Sequence, residues 1–116
     1  MFLTKNDFIL GRSCDAKLYY KKLHYPSLND DDLYLEFLSD GGYMVAKLLY
    51  PNGKELGGWN DPDKAFDELT RLLTSGDGTF FEATVIHSNL LARVDILQRT
   101  STVLRVIEVK SSSFDP

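Results

Sequence analysis

The sequence predicts an α+β fold, with N-terminal helices packed on a mainly antiparallel sheet of three or four strands. Two observations carry this. Ahead of Gly76 the apolar residues recur mostly at helical spacing, and from Thr79 onward the period drops to two, the pattern of strands. The last three predicted strands are joined by short connections, at Ser88-Asn89 and across Arg99 to Thr102, which suit hairpins rather than crossovers.

Each element has a local cause. Thr4-Lys5-Asn6-Asp7 reads as a capping box with Asp in place of Glu, opening a short helix that Gly11 is expected to end. A second short helix is expected over residues 15–22, with Leu18 and Tyr19 inward. Asp30, Asp31 and Asp32 give an acidic start to a third, with Leu33, Phe37, Leu38, Met44, Val45, Leu48 and Leu49 at helical spacing. Gly41-Gly42 lies inside it and predicts either a break or a close backbone approach. Pro51-Asn52-Gly53 is a turn, residues 54–59 a short strand, and Asp61-Pro62 a cap with proline at the first helical position. Ala65, Phe66, Leu69, Leu72 and Leu73 then share one helix face. Three strands follow, over residues 80–87, 90–98 and 103–110.

With 116 residues, 43% hydrophobic and 26% charged, the chain suits one domain with one core. No run approaches the roughly 18 apolar residues of a membrane helix, and the N-terminus lacks the pattern of a signal peptide. The single Cys14 cannot form an internal disulfide, so a cytoplasmic location is expected. The net charge of -4 is unevenly spread: residues 1–25 carry five bases and two acids, whereas residues 26–40 carry five acids and no base. Such a chain is a poor non-specific DNA coater, which needs cations to neutralise phosphates. An enzyme holding cations between carboxylates is a different case.

Alternation sets Leu104, Val106, Glu108 and Lys110 on one face of the third strand, and Leu91, Arg93, Asp95 and Leu97 on one face of the second. In the first, Glu82 shares a face with Phe80, Thr84 and Ile86. Three consecutive strands thus each carry an acid among apolar residues. Converging buried acids raise one another's pKa unless a cation holds them, and an all-oxygen set suits Mg²⁺ or Mn²⁺. A cation so held can activate water against a phosphodiester, with Lys110 steadying the charge that develops. His24 and His87 have no zinc-like spacing.

Ala92-Arg93-Val94-Asp95-Ile96-Leu97 and Glu108-Val109-Lys110, with twelve residues between the two acids, resemble the signature of the PD-(D/E)XK nuclease superfamily. Residues 3–14, Phe81-Glu82-Ala83 and Ile107-Glu108-Val109-Lys110-Ser111-Ser112 are similar to the N-terminal part of an uncharacterised bacterial RecB-like nuclease family. The resemblance implies a partial restriction-endonuclease-like core and a metal-dependent DNA nuclease. It makes Asp95 and Glu108 metal ligands, the Val109 carbonyl a third oxygen, Lys110 the catalytic lysine and Glu82 an additional acid. Two features depart from the pattern. The early-helix histidine is missing, leaving Glu36 or Tyr43 to take its role, and the later Gln-x-x-x-Tyr helix is absent because Gln98 is the only glutamine. More protein is therefore expected beyond Pro116, and this stretch alone is expected to cleave poorly. Cys14 resembles the first iron-sulfur ligand of some relatives, whose other three cysteines are absent; in this chain it reads as a small buried hydrophobe.

Without that resemblance, Glu108 and Lys110 read as an ordinary solvated ion pair. Glu36 reads as an exposed helix residue and Trp59 as core or a loop anchor. Lys17 with Tyr19-Tyr20-Lys21-Lys22 could track DNA, but partly buried tyrosines with solvated lysines are the commoner arrangement. Two other functions compete: a degenerate nuclease fold that binds DNA or assembles without cleaving, and an interaction domain that forms a homodimer through an exposed sheet edge.

Overall fold

The computed structural model describes residues 1–26, 33–58 and 60–110, with the backbone alone for residues 33–39. Asp30 to Asp32, Trp59 and residues 111–116, like the side chain of Glu36, lie outside the described residues. The architecture is α+β, as predicted. In chain order the elements are β1 (Leu3–Thr4), α1 (Lys5–Ser13), α2 (Asp15–Lys22), α3 (Leu33–Leu49) and β2 (Lys54–Glu55). They continue with α4 (Pro62–Ser75), β3 (Gly78–His87), β4 (Leu90–Thr100) and β5 (Val103–Ile107).

The five strands form one mixed sheet in the order β1-β4-β3-β2, with β5 also pairing β4. The β3–β4 and β4–β5 hairpins are antiparallel, while β1 and β2 run parallel to β4 and β3. Because β3 occupies one whole edge of β4, β1 and β5 must share the other. β1 pairs at Leu90 and Leu91 and β5 from Ile96 to Thr100, so neither pairs with residues 92–95. This notch holds Asp95.

The two sheet faces carry separate cores. On one, α4 lays Leu69 against Leu56, Phe80, Ala83 and Leu97, all nearly inaccessible, with Leu72, Leu73, Val85 and Val94 around them. On the other, Ala46 of α3 meets Phe81 and Ile96, with Tyr50, Ile107 and Val109 around them. α4 begins as predicted, with Asp61 Oδ1 accepting from the Lys64 N–H at 3.1 Å and Pro62 in the first turn.

Several expectations are corrected. α1 does not stop at Gly11 but runs to Ser13; a Cβ on Gly11 would come within 3.0 Å of Leu18 Cδ2, so this glycine serves the close packing of α1 on α2. α3 passes through Gly41 and Gly42 unbroken, and a Cβ on Gly42 would meet Val109 only at an ordinary 3.8 Å, so neither expectation for this pair holds. Met44, Val45, Leu48 and Leu49 face solvent rather than the core, since α3 approaches the sheet through the small Ala46. The short strand predicted over residues 54–59 is confined to Lys54 and Glu55.

The tyrosine-lysine segment is reversed relative to the sequence reading. Tyr19, Tyr20 and Tyr25 are exposed and meet edge to face. Lys21 and Lys22 instead turn onto the buried Asp7, at 2.7 and 2.6 Å. Asp7 also completes the capping box, accepting from the Thr4 N–H at 2.9 Å, while Thr4 Oγ1 accepts from the Asp7 N–H. Burial opposes ionisation of Asp7, but the bonds from Lys21, Lys22 and Thr4 outweigh it and hold the carboxyl well below the usual range. Cys14, half-buried and free, joins α1 to α2.

Candidate functional site

The notch in β4 brings Asp95 against the Glu108-Val109-Lys110 segment. β5 ends at Ile107, three residues earlier than alternation predicts, because the Val109 N–H donates to Asp95 Oδ2 at 2.8 Å instead of continuing the ladder. A carboxylate has replaced a backbone carbonyl as acceptor, and local competition of this kind ends strands as it ends helices. The bond fastens Asp95 to the Glu108-Val109-Lys110 segment.

Glu108 is the other anchor. Lys110 Nζ lies 2.6 Å and Lys5 Nζ 2.5 Å from the same oxygen, Oε1. These bonds and charges pull the Glu108 carboxyl down to about 2. Lys110 is correspondingly pushed up, by its bond to Glu108 first, then the charge of Glu108, with the more distant charge of Asp95 adding to the effect. The pair predicted to share a face therefore does so. It is exposed, however: the side chains of Glu108 and Lys110 keep 49% and 73% of their accessibility. The penalty of burying an acid does not apply to Glu108.

It applies to Glu82. The β3–β4 ladder pairs Phe81 with Ile96 and Ala83 with Val94, which sets Glu82 opposite Asp95 at the skipped position between them. Glu82 has φ +55°, a left-handed conformation that costs a non-glycine residue of order 1–3 kcal/mol. The alternation slips here. Phe80 and Ala83, three apart, belong to one core, while Phe81 belongs to the other. Glu82 thus does not sit simply with Phe80, Thr84 and Ile86 as the regular period requires. Burial first, and the charge of Asp95 second, push its carboxyl up; Arg93 opposes this and Glu55 adds to it.

Asp95 is joined to the Glu108-Val109-Lys110 segment through the Val109 N–H, and within that segment Lys110 pairs with Glu108. Glu82 is set opposite Asp95, but among the described residues no three His, Cys, Asp or Glu side chains are grouped to hold one metal ion. The donors fit a hard divalent cation in kind, since magnesium is commonly held by one or two carboxylates and completed by water. Tyr43 is not part of this group; its hydroxyl donates to Glu55 of β2, and Lys47 sits 4.5 Å above its ring. Sequence reasoning missed Lys5, which lies 103 positions from Glu108, and Glu55, which reaches Glu82 only through the β2–β3 pairing. No local pattern carries either. Among the described residues no helix is long and apolar enough to cross a membrane. Comparison with family models, with curated proteins and with solved structures returns no match.

Proposed function

We propose that the β4 notch is the site of a metal-dependent DNA nuclease of the PD-(D/E)XK type. The observation that carries this is the bond from the Val109 N–H to Asp95, which holds an aspartate beside a Glu-x-Lys segment in the gap that β1 and β5 leave along β4. Asp95 and Glu108, with the Val109 carbonyl, would hold Mg²⁺ or Mn²⁺, and Glu82 is the reserve acid. When bound, the cation supplies Lewis-acid activation of water and of the phosphodiester. The remaining work falls to the chain. Val109 orients Asp95. Lys110, kept protonated by Glu108, presents a fixed positive charge where negative charge develops on phosphate oxygens.

A nicking assay on supercoiled DNA with Mn²⁺ tests the reading. Lys110→Met is expected to lower cleavage roughly a hundredfold without unfolding the chain. Cleavage that survives both this change and chelation would overturn the proposal.

A second reading has its own observation. Both lysines neutralise Glu108, and the described acids do not gather in threes, as suits a degenerate module that binds DNA or assembles. Retention of DNA without metal-dependent cleavage would favour it. Its assembly form is a homodimer through β5, where Val103, Leu104 and Val106 are exposed on a strand that, among the described residues, pairs only β4. Light scattering would report that dimer.

A further inference from the structure

We propose that Lys5 is a resident counter-ion that competes with the divalent cation for Glu108, and so sets how tightly the cation is held. The inference rests on the reading of Asp95 and Glu108 as a cation site.

The two lysines on Glu108 differ in origin. Lys110 is two residues away on the same segment and belongs to the Glu-x-Lys pattern. Lys5 arrives from the opposite end of the chain and reaches the same oxygen at 2.5 Å. Its position is not incidental. Lys5 is the first residue of α1, directly after Thr4, and Thr4 is fixed twice: its strand pairs with β4 at Leu91, and its hydroxyl and N–H form the capping box with Asp7. Asp7 is in turn held by Lys21 and Lys22. The root of Lys5 therefore stands on the β1 side of the notch, and Glu108 on the β5 side, tied down through Val109 and Asp95. The Lys5–Glu108 pair joins the two.

Charge bookkeeping then favours competition. Asp95 and Glu108 supply two negative charges, the two lysines on Glu108 supply two positive ones, and Glu82 and Arg93 beside Asp95 add one of each sign. Such a site offers a divalent cation little net attraction until one ammonium withdraws. Both side chains are accessible, Lys5 at 60% and Lys110 at 73%, and both have long flexible stems, but only Lys5 stands outside the Glu-x-Lys pattern. Its withdrawal leaves the Glu-x-Lys segment intact.

Calorimetric titration of Mn²⁺ at fixed ionic strength tests this on the wild type, Lys5→Met, Lys64→Met and Asp95→Ala. Lys64, exposed on α4, controls for the same change in net charge away from the notch. Lys5→Met is expected to bind roughly threefold tighter or more, in keeping with an exposed ion pair. Lys64→Met should stay within a factor of about 1.5 of the wild type, and Asp95→Ala should abolish or strongly weaken binding. Lys5→Gln provides a second variant should Lys5→Met fold poorly. If the wild type binds and Asp95→Ala does not, but Lys5→Met behaves like Lys64→Met or binds more weakly, the counter-ion role fails and the cation site stands. If no variant, Lys5→Met included, gives heat that Asp95→Ala removes, both fail.

Discussion

Glu82 and Asp95 stand opposite each other at the skipped position of the β3–β4 ladder, where Glu82 takes a left-handed backbone and both strands exchange the faces they present to the two cores. Two facing carboxylates and a strained residue are a poor way to stabilise a sheet, and costs of this kind are concentrated at functional sites.

The first prediction follows from that cost. Burial and the charge of Asp95 raise the Glu82 carboxyl above its ordinary 4.5, so the folded state binds this proton more tightly than the unfolded state does. The penalty is fully present above the folded value and fades as pH falls through it toward the ordinary one. Glu82→Gln should therefore stabilise the fold by about 0.5 kcal/mol at neutral pH. Below the ordinary value the difference should vanish. Urea unfolding at several pH values measures it, and a variant less stable than the wild type at neutral pH would contradict the assignment.

Asp7 has the opposite sign. Its carboxyl lies below the ordinary 3.8 in the folded state, so its contribution is fully present above that value and is lost as pH falls through the depressed one. Asp7→Ala strips the buried partner from Lys21 and Lys22 and removes the bond that its carboxylate accepts from the Thr4 N–H, leaving the cap only the bond from the residue 7 N–H to Thr4 Oγ1. A loss of about 3 kcal/mol is expected. Chemical denaturation at neutral pH checks the size. The gap between the two proteins should narrow in acid.

Gly53 tests packing. A Cβ there would fall within 2.3 Å of the Phe81 ring, and Phe81 is 2% exposed at the centre of the α3-side core. The ring packs with Ala46 and Ile96, so shifting it disturbs that core. Gly53→Ala should cost about 2 kcal/mol through overpacking, whereas Gly41→Ala, which meets nothing within 4 Å, should be neutral or slightly stabilising. Thermal melts of the two variants separate the cases.

What could be read in the sequence was local. The Thr4–Asp7 capping box, the Asp61-Pro62 cap and the turn at Ser88-Asn89 are each determined by residues within a few positions, and all are present; the turn expected across Arg99 to Thr102 narrows to Ser101-Thr102, because β4 continues to Thr100. β1 was not legible, because two residues become a strand only by pairing with Leu90 and Leu91. Asp95, Glu108 and Lys110 were legible as a pattern. Their surroundings were not: the parity slip at Glu82 breaks the regular period on which facing arguments depend, and Lys5 meets Glu108 only through tertiary structure. Helical spacing marked the apolar residues of α3 but cannot say which face a sheet will cover, and Met44, Val45, Leu48 and Leu49 lie on the exposed side.

The last prediction separates the structural role of Asp95 from its charge. Asp95 Oδ2 accepts from the Val109 N–H, and a side-chain amide oxygen can accept the same bond. Asp95→Asn should therefore keep residues 108–110 in place, with hydrogen exchange at the Val109 amide close to that of the wild type. Asp95→Ala leaves that N–H without its acceptor, so exchange there should speed by about tenfold, with a stability loss of about 1 kcal/mol. Both variants lose the charge, so both should lose Mn²⁺ binding. If Asp95→Asn binds Mn²⁺ like the wild type, the aspartate is a structural clamp for the end of β5 and not a cation ligand.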